Sequence, residues 1–298
     1  MRSVAALLFI VLWPAIASSQ DLSPRAFWPA PKGTNVFAIA YQHSRGDVLT
    51  DPSLPVSGVD SRINAGQLTY QRTVSLFNRT SNIQFRLPYI ASKTEGLVDG
   101  QYRQRELAGL GDAQMVLSVN LRGAPSMDLA GFQALRKNPR TIVGASIAIG
   151  VPTGAYDSDR LINAGANRWS SKATIGVIWP MRPTWMFEAY AGAAFFGNND
   201  AYLNRRQEQD PVKAVELHLV KLIRSDLWVS LDWTYYEGGQ TTVDGDSRYD
   251  MQQNSRAGIT FVQPFKRGHA VRASFSSGLN VASGGDFDSL TVSYLYAW

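Results

Sequence analysis

The chain has 298 residues, a formal charge of +5 at neutral pH and no cysteine, so a disulfide framework and a thiolate metal site are both excluded. Charged residues make up 18%, below the roughly 25% of an ordinary soluble domain. Lysines and arginines are scattered singly among carboxylates, which argues against a nucleic-acid partner.

The chain opens with Arg2 followed by VAALLFIVLWPAIASS, a short apolar core ending in small residues. This is the pattern of a secretory signal peptide over residues 1–19, with the mature chain expected to start near Gln20 or Asp21. The run is shorter than the roughly 20 apolar residues that a spanning helix needs, and none downstream approaches that length. The chain is therefore expected to leave the cytoplasm without a transmembrane helix.

From there on the dominant signal has period two. In TWMFEAYAGAAFF, Trp185, Phe187, Ala189, Ala191, Ala193 and Phe195 share one face, while Glu188, Tyr190 and Gly192 share the other. LWVSLDWTYY, IQFRLPY and AQMVLSVNL alternate in the same way. About twelve such segments occur, near 36–46, 66–76, 81–91, 111–122, 140–151, 169–179, 184–196, 212–223, 226–237, 255–264, 269–278 and 289–298. Each approaches the 9–11 residues of a tilted strand crossing a membrane.

The links alternate too. FNRT, PMRP, IRSD and FKRG are short; the stretches around 92–110, 152–168, 197–211, 238–254 and 279–288 are long and polar. Short periplasmic turns alternating with long external loops are the signature of an all-β, up-and-down antiparallel outer-membrane barrel, here over 20–298. The link 123–139 breaks the rule; Met127, Leu129, Phe132 and Leu135 predict a short amphipathic helix at the periplasmic rim. A soluble β-sandwich would also alternate. The aromatic residues Trp169, Trp179, Trp185, Trp233, Tyr294, Tyr296 and Trp298 on the apolar faces instead predict an interfacial girdle with lipid outside.

On that reading the inward faces carry Arg86, Asp112, Lys172, Glu188, Glu216, His218, Asp232, Arg256 and Arg272. They line a lumen that selects solutes by charge and size, or form a structural network of cross-strand ion pairs such as Lys172 with Glu188. Asn163, Asn167 and Arg168, in the loop that leads into a strand, are candidates for contacting a solute at the mouth; turn chemistry explains the same residues. TTVDGD at 241–246 is too sparse for a calcium loop, and GLGD at 109–112 lacks the setting of a phosphate loop. The histidines His43, His218 and His269 form no recognisable catalytic dyad, although His43 stands beside Ser44. No catalytic residue, metal or cofactor is expected, nor a plug-like N-terminal domain.

Several blocks also resemble a known family: RLPYI at 86–90, GLGDA at 109–113, VPTGAYDSDRLINAGANRWSSKATIG at 151–176, EAYAGAAFF at 188–196, EQDP at 208–211, SLDWTYYEGGQTTVDG at 230–245, NSRAGITF at 254–261 and GGDFDSL at 284–290. They are similar to the outer-membrane family named for the MetA-pathway of phenol degradation. That resemblance implies a barrel passing small, often aromatic or hydrophobic, solutes. The alternatives are a structural or interaction barrel closed by its charge network, or a lipid-modifying barrel enzyme. The expected partners are outer-membrane lipid, a small solute and the barrel-assembly machinery. SLTVSYLYAW, ending at Trp298, resembles the address that this machinery reads, with Trp in place of the usual Phe.

Overall fold

The computed structural model describes residues 24–47, 57–98, 100–224, 226–283 and 285–298. The expected signal peptide lies outside the described residues. Twelve long strands alternate direction around a closed wall: β1 (Asn35–Gly46), β2 (Ser57–Leu76), β3 (Arg79–Val98), β5 (Ala113–Arg122), β6 (Ile142–Val151), β7 (Ser170–Arg182), β8 (Trp185–Phe196), β11 (Val212–Leu222), β12 (Trp228–Gly238), β15 (Gln252–Lys266), β16 (His269–Ser283) and β17 (Phe287–Ala297). Closure comes from β1, which pairs with β2 on one edge and β17 on the other, from Val36↔Ala297 to Gly46↔Phe287. The seam is sealed below by reciprocal backbone bonds of 3.0 Å between Asn35 and Trp298.

Alternation dictates which side chains meet lipid. In β1, Val36, Ala38, Ala40, Gln42 and Ser44 point inward and are buried, while Ile39 and Tyr41 point outward and are exposed. Around the wall Leu68, Phe85, Ile147, Ile175, Leu231 and Ile259 continue that exposed apolar band, while Gln67, Gln71, Glu188, Asp232 and Arg256 are buried. A water-soluble fold would leave this arrangement with a very large exposed apolar patch. In lipid it is the expected one.

Local chemistry makes the tight turns. Phe77 and Asn78 both take positive φ, 48° and 57°, between β2 and β3, the geometry of a two-residue type I′ hairpin whose twist matches the strands. Asp244 and Gly245 repeat it. Pro88, which has no N–H to give, sits where β3 changes neighbours: it pairs with β5 over Ser81–Arg86 and with β4 (Gln101–Leu110) over Tyr89–Val98. GLGD is therefore the joint at which one descending strand changes course.

Three features depart from the expected outline. β2 and β3 run 20 residues each and, with β4, stand above the membrane as a projecting sheet where a loop at 92–110 was expected. The stretches 197–211 and 238–254 are not plain loops either. They hold β9 (Asn199–Tyr202), β10 (Arg205–Gln209), β13 (Thr241–Val243) and β14 (Asp246–Ser247), a small external sheet in the order β14-β13-β10-β9. The helix in the long periplasmic link is present as α1 (Leu129–Lys137), capped by Asp128, but it does not merely rest on the rim: Phe132 and Leu135 are buried within the barrel mouth.

Candidate functional site

The lumen is built in three levels. The lowest is apolar and filled. Residues 24–34 enter from the periplasmic side and fold up into the barrel, so that Phe27, Trp28 and Ala30 pack with Phe132 and Leu135 of α1 against wall residues including Ile142, Ile178, Val220 and Trp228. The wall is shaped to receive them. Gly144 and Gly176 face one another across β6 and β7 on the inward side, and the Phe27 ring occupies the notch that their missing side chains leave. It meets Tyr190 edge-to-face at 5.3 Å. Each buried aromatic of this kind contributes about 2–3 kcal/mol of hydrophobic stabilisation. Residues 24–34 thus form a plug segment at the periplasmic end of the lumen.

Backbone bonds hold the segment in place: Lys32 N–H to Met127 C=O, Gly33 N–H to Thr73 C=O and Thr73 N–H to Thr34 C=O, each at 2.8 Å. Its upper end reaches the charged level. Arg25 donates its backbone N–H to Glu188 Oε2 at 2.6 Å, and its guanidinium lies 4.3 Å over the Trp28 ring and 5.6 Å from that of Trp228. The ordinary signal for this segment, RAFWPAPKG, was an aromatic and proline-rich stretch with no strand period, which says nothing about where it goes.

The middle level is a buried polar network. Glu188, His218 and Asp232 stand side by side in one register row across β8, β11 and β12. Asp232 accepts from His218 Nδ1 at 2.9 Å and from Thr260 Oγ1 at 2.7 Å, and Tyr190 OH donates to Glu188. His218 Nε2 lies 3.7 Å from Glu216 Oε2, and Lys172 Nζ lies 3.4 Å from the other Glu216 oxygen. The expected pairing of Lys172 with Glu188 is therefore wrong: register places Lys172 opposite Ala194, six residues along β8 from Glu188, and within reach of Glu216 on β11, beyond β8. Arg86 donates to Gln84 Oε1 at 3.1 and 2.7 Å. Arg256 lies 3.7 Å over Phe287 and donates to its C=O at 3.0 Å and to Ser276 Oγ at 2.9 Å. Arg272, also buried and inward, stands opposite Ser293.

The upper level lies at the external mouth. The loop 152–168 folds inward, where Ile162 packs with Val59, Tyr202 and Val243, and Ala164 against Ile63, Ala65 and Ile90. Asp112 belongs here and not in the wall of the lumen, which corrects its expected position. One carboxylate oxygen accepts the Gly154 N–H at 2.8 Å and the other the Ala166 N–H at 2.9 Å, clamping both ends of the loop. Burial raises the Asp112 pKa above 3.8, against the lowering effect of those N–H donors and of Arg168. The three candidates for solute contact serve the same loop. Asn163 bonds Asp157 and Arg160, Asn167 at φ 52° donates to Asn199, and buried Arg168 donates to Gln209 at 2.6 Å.

The outward aromatics mark the membrane edges. Trp169 lies at the external end of β7 and Trp179 near its periplasmic end. Trp185 lies under the Lys221 ammonium at 4.7 Å. Tyr296 stacks between His269 at 4.6 Å and Trp298 at 5.2 Å, and His269 Nδ1 bonds Tyr294 OH at 2.6 Å. Trp233 departs from the girdle: it sits midway along β12 and stacks on Tyr235. His43 faces outward and bonds Asn64, whereas Ser44 faces inward and bonds Ser289 Oγ at 2.6 Å, so the two cannot act together. Asp232 holds His218 as it would a general base, but the second ring nitrogen faces Glu216 where a nucleophilic hydroxyl would be needed. Among the described residues no group of three or more His, Asp or Glu is arranged to hold a metal.

A closed twelve-stranded antiparallel barrel with an apolar outer belt and a charged interior is a membrane-spanning barrel of the outer-membrane type. The chain belongs to the family described as "Putative MetA-pathway of phenol degradation", whose model matches residues 43–296. Its fold is similar to that of the COG4313 outer membrane channel from Pseudomonas putida F1, with a TM-score of 0.75 and 21% identity over 91% of this chain and 98% of that one. The beta domain of the Bordetella autotransporter BrkA is similar more distantly, with a TM-score of 0.52 and 10% identity over 90% of this chain and 100% of that one. No curated protein matches the chain.

Proposed function

We propose that this protein is an outer-membrane channel for passive uptake of small solutes, in the closed conformation. One observation carries the reading: what fills the lumen at either end is not the wall itself but inward-folded segments, 24–34 together with α1 at one end and 152–168 at the other. Between them lies a charged level, and a route through the barrel opens when the segments move aside. An eight-stranded barrel can fill its interior with wall side chains alone; twelve strands leave room that this chain occupies with separate pieces of backbone. The COG4313 protein, similar in fold, is described as an outer membrane channel.

The solute meets an aromatic and aliphatic surface at both ends and paired charges between them. That sequence of surfaces suits a small molecule with an apolar body and a polar group, aromatic compounds included. Arg86, Lys172, Glu188, Glu216, His218, Asp232, Arg256 and Arg272 set the charge selectivity of the middle level. Residues 1–19 act as the export signal, and the terminal strand as the address for barrel assembly, with lipid around the aromatic girdle.

Planar-bilayer recording of the purified chain tests the reading. Discrete conductance steps, together with swelling of liposomes in small solutes, are expected. A folded barrel that passes neither ions nor solutes, even without residues 24–34, would support the alternative of a structural barrel locked by its charge network.

A further inference from the structure

The periplasmic rim carries a charge pattern that solute passage does not use. Among the described residues, twelve lysines and arginines lie on the short turns, on the link before β6 and on the adjoining strand ends and N-terminal segment, against two carboxylates, Asp128 and Asp226. Asp128 is already engaged as the cap of α1, accepting the Gly131 N–H at 2.8 Å. The external end is the reverse, with eleven cations against sixteen carboxylates. The whole cationic excess therefore belongs to the periplasmic rim and the lumen.

The turns repeat one design. Phe77 precedes Arg79, Met181 precedes Arg182, Ile223 precedes Arg224, and Phe265 precedes Lys266 and Arg267. The four apolar side chains are exposed by 93%, 51%, 55% and 60%. The five cations are exposed as well, and none has an ion-pair partner among the described residues. An acidic soluble protein would account for the cations but not for the apolar side chain beside each one. A leaflet accounts for both: the apolar group enters the acyl boundary and the neighbouring cation stays at the depth of the phosphates. Lys221 already shows this posture, its stem lying along the outer wall and its ammonium over Trp185.

We propose that these turns form a ring that binds the phosphates of anionic phospholipids in the periplasm-facing leaflet. The guanidinium forks of Arg79, Arg182 and Arg224 suit two phosphate oxygens at once. Net negative charge distinguishes the favoured headgroup from a zwitterionic one carrying the same phosphate. The proposal needs only the barrel in a membrane and stands whether or not the barrel conducts.

The test is the full chain reconstituted in phosphatidylcholine bilayers with a trace of spin-labelled phosphatidylglycerol or phosphatidylcholine, the motionally restricted fraction giving relative association. About a five-fold preference for phosphatidylglycerol is expected, the weight of one interfacial cation, and it shrinks as salt rises. R182Q/R224Q/K266Q/R267Q loses most of it, while R45Q/R62Q, on the external side, keeps it; heat-shifted gel mobility checks that each variant is a closed barrel. Equal association of the two lipids with the unaltered chain overturns the proposal. So does a preference that survives the quadruple change, or one that the external pair removes equally. If the unaltered chain shows no lipid preference yet is retained on immobilised polyglutamate, and the quadruple variant is not, the ring serves an acidic protein and the lipid proposal fails.

Discussion

The backbone N–H of Arg25 donates to Glu188 Oε2 at 2.6 Å, joining the tip of the inward-folded segment to the barrel wall at the level where the lumen turns from apolar to charged. This contact and the seat of Phe27 between Gly144 and Gly176 hold the segment inside the periplasmic end. A methyl group at either glycine would collide with a ring, Phe27 at Gly144 and chiefly Tyr190 at Gly176. Gly144→Ala is expected to cost the closed state about 1–3 kcal/mol, the usual toll of overpacking. The barrel ladder stays intact, so openings in bilayer recordings become more frequent while the folded, heat-shiftable band is unchanged. Removal of residues 24–34 gives the extreme of the same effect; identical conductance with and without them would show that the segment is not the barrier.

Asp112 gives the external loop a pH dependence. Its pKa in the folded chain lies above 3.8 because burial disfavours the charge more than the Gly154 and Ala166 N–H groups favour it. The folded state thus holds more protons here than the unfolded one between 3.8 and the raised value, so this group's contribution to stability falls as pH rises through that window and levels off above it. Hydrogen exchange of the segment 152–168, corrected for intrinsic rates, is expected to quicken across the window. Asp112→Asn keeps an acceptor and should abolish the dependence; if exchange in that variant still follows pH, another group is responsible.

His218 separates stability from selectivity. It is buried between Asp232 and Glu216, bonding the first at 2.9 Å and lying 3.7 Å from the second, so His218→Ala leaves Asp232 short of one donor and Glu216 without the ring beside it. A loss of about 3–5 kcal/mol in denaturant unfolding from vesicles is expected, as for other buried pairs deprived of one member. Lys172 is less enclosed, and Lys172→Gln should alter ion selectivity with a much smaller change in unfolding. Equal effects of the two substitutions on unfolding, with no change in selectivity from either, would favour a purely structural network.

Trp298 seals the seam. It exchanges two backbone hydrogen bonds with Asn35 and stacks on Tyr296. Each hydrogen bond contributes about 1 kcal/mol and the ring pair about another. Deletion of Trp298 should lower the yield of folded barrel in the membrane. Trp298→Phe, which keeps an aromatic terminus, should restore it. Normal assembly of the deletion variant would mean that neither the seam nor a terminal address depends on this residue.

The wall was legible and its contents were not. Period-two alternation in TWMFEAYAGAAFF assigns Glu188 and Tyr190 to one face and Phe187 and Ala189 to the other wherever the strand ends up, and the structure keeps both sets as read. The segment RAFWPAPKG could not be placed this way: a stretch without periodicity is positioned by the surface that receives it. That surface, the notch at Gly144 and Gly176, exists only once β6 and β7 are paired. Asp112 was misplaced for a related reason. It continues a strand pattern in sequence, but Pro88 interrupts the neighbouring ladder at that height, and the carboxylate turns to the loop instead. The small external sheet was missed because its strands, two to five residues long, are too short to display a period.

By itself, then, the sequence determined twelve alternating strands, short turns on one side and long loops on the other, and hence a barrel turned inside out for lipid. These are local properties, since a side chain's face follows from its parity along the strand. Only the tertiary structure decided which charges meet. Lys172 reaches Glu216 and not Glu188 because the stagger between neighbouring strands sets the height of each side chain, and no strand contains that information alone. It likewise decided that residues 24–34 and 152–168 fold into the barrel, because they can seat only in a lumen that the rest of the chain must first enclose.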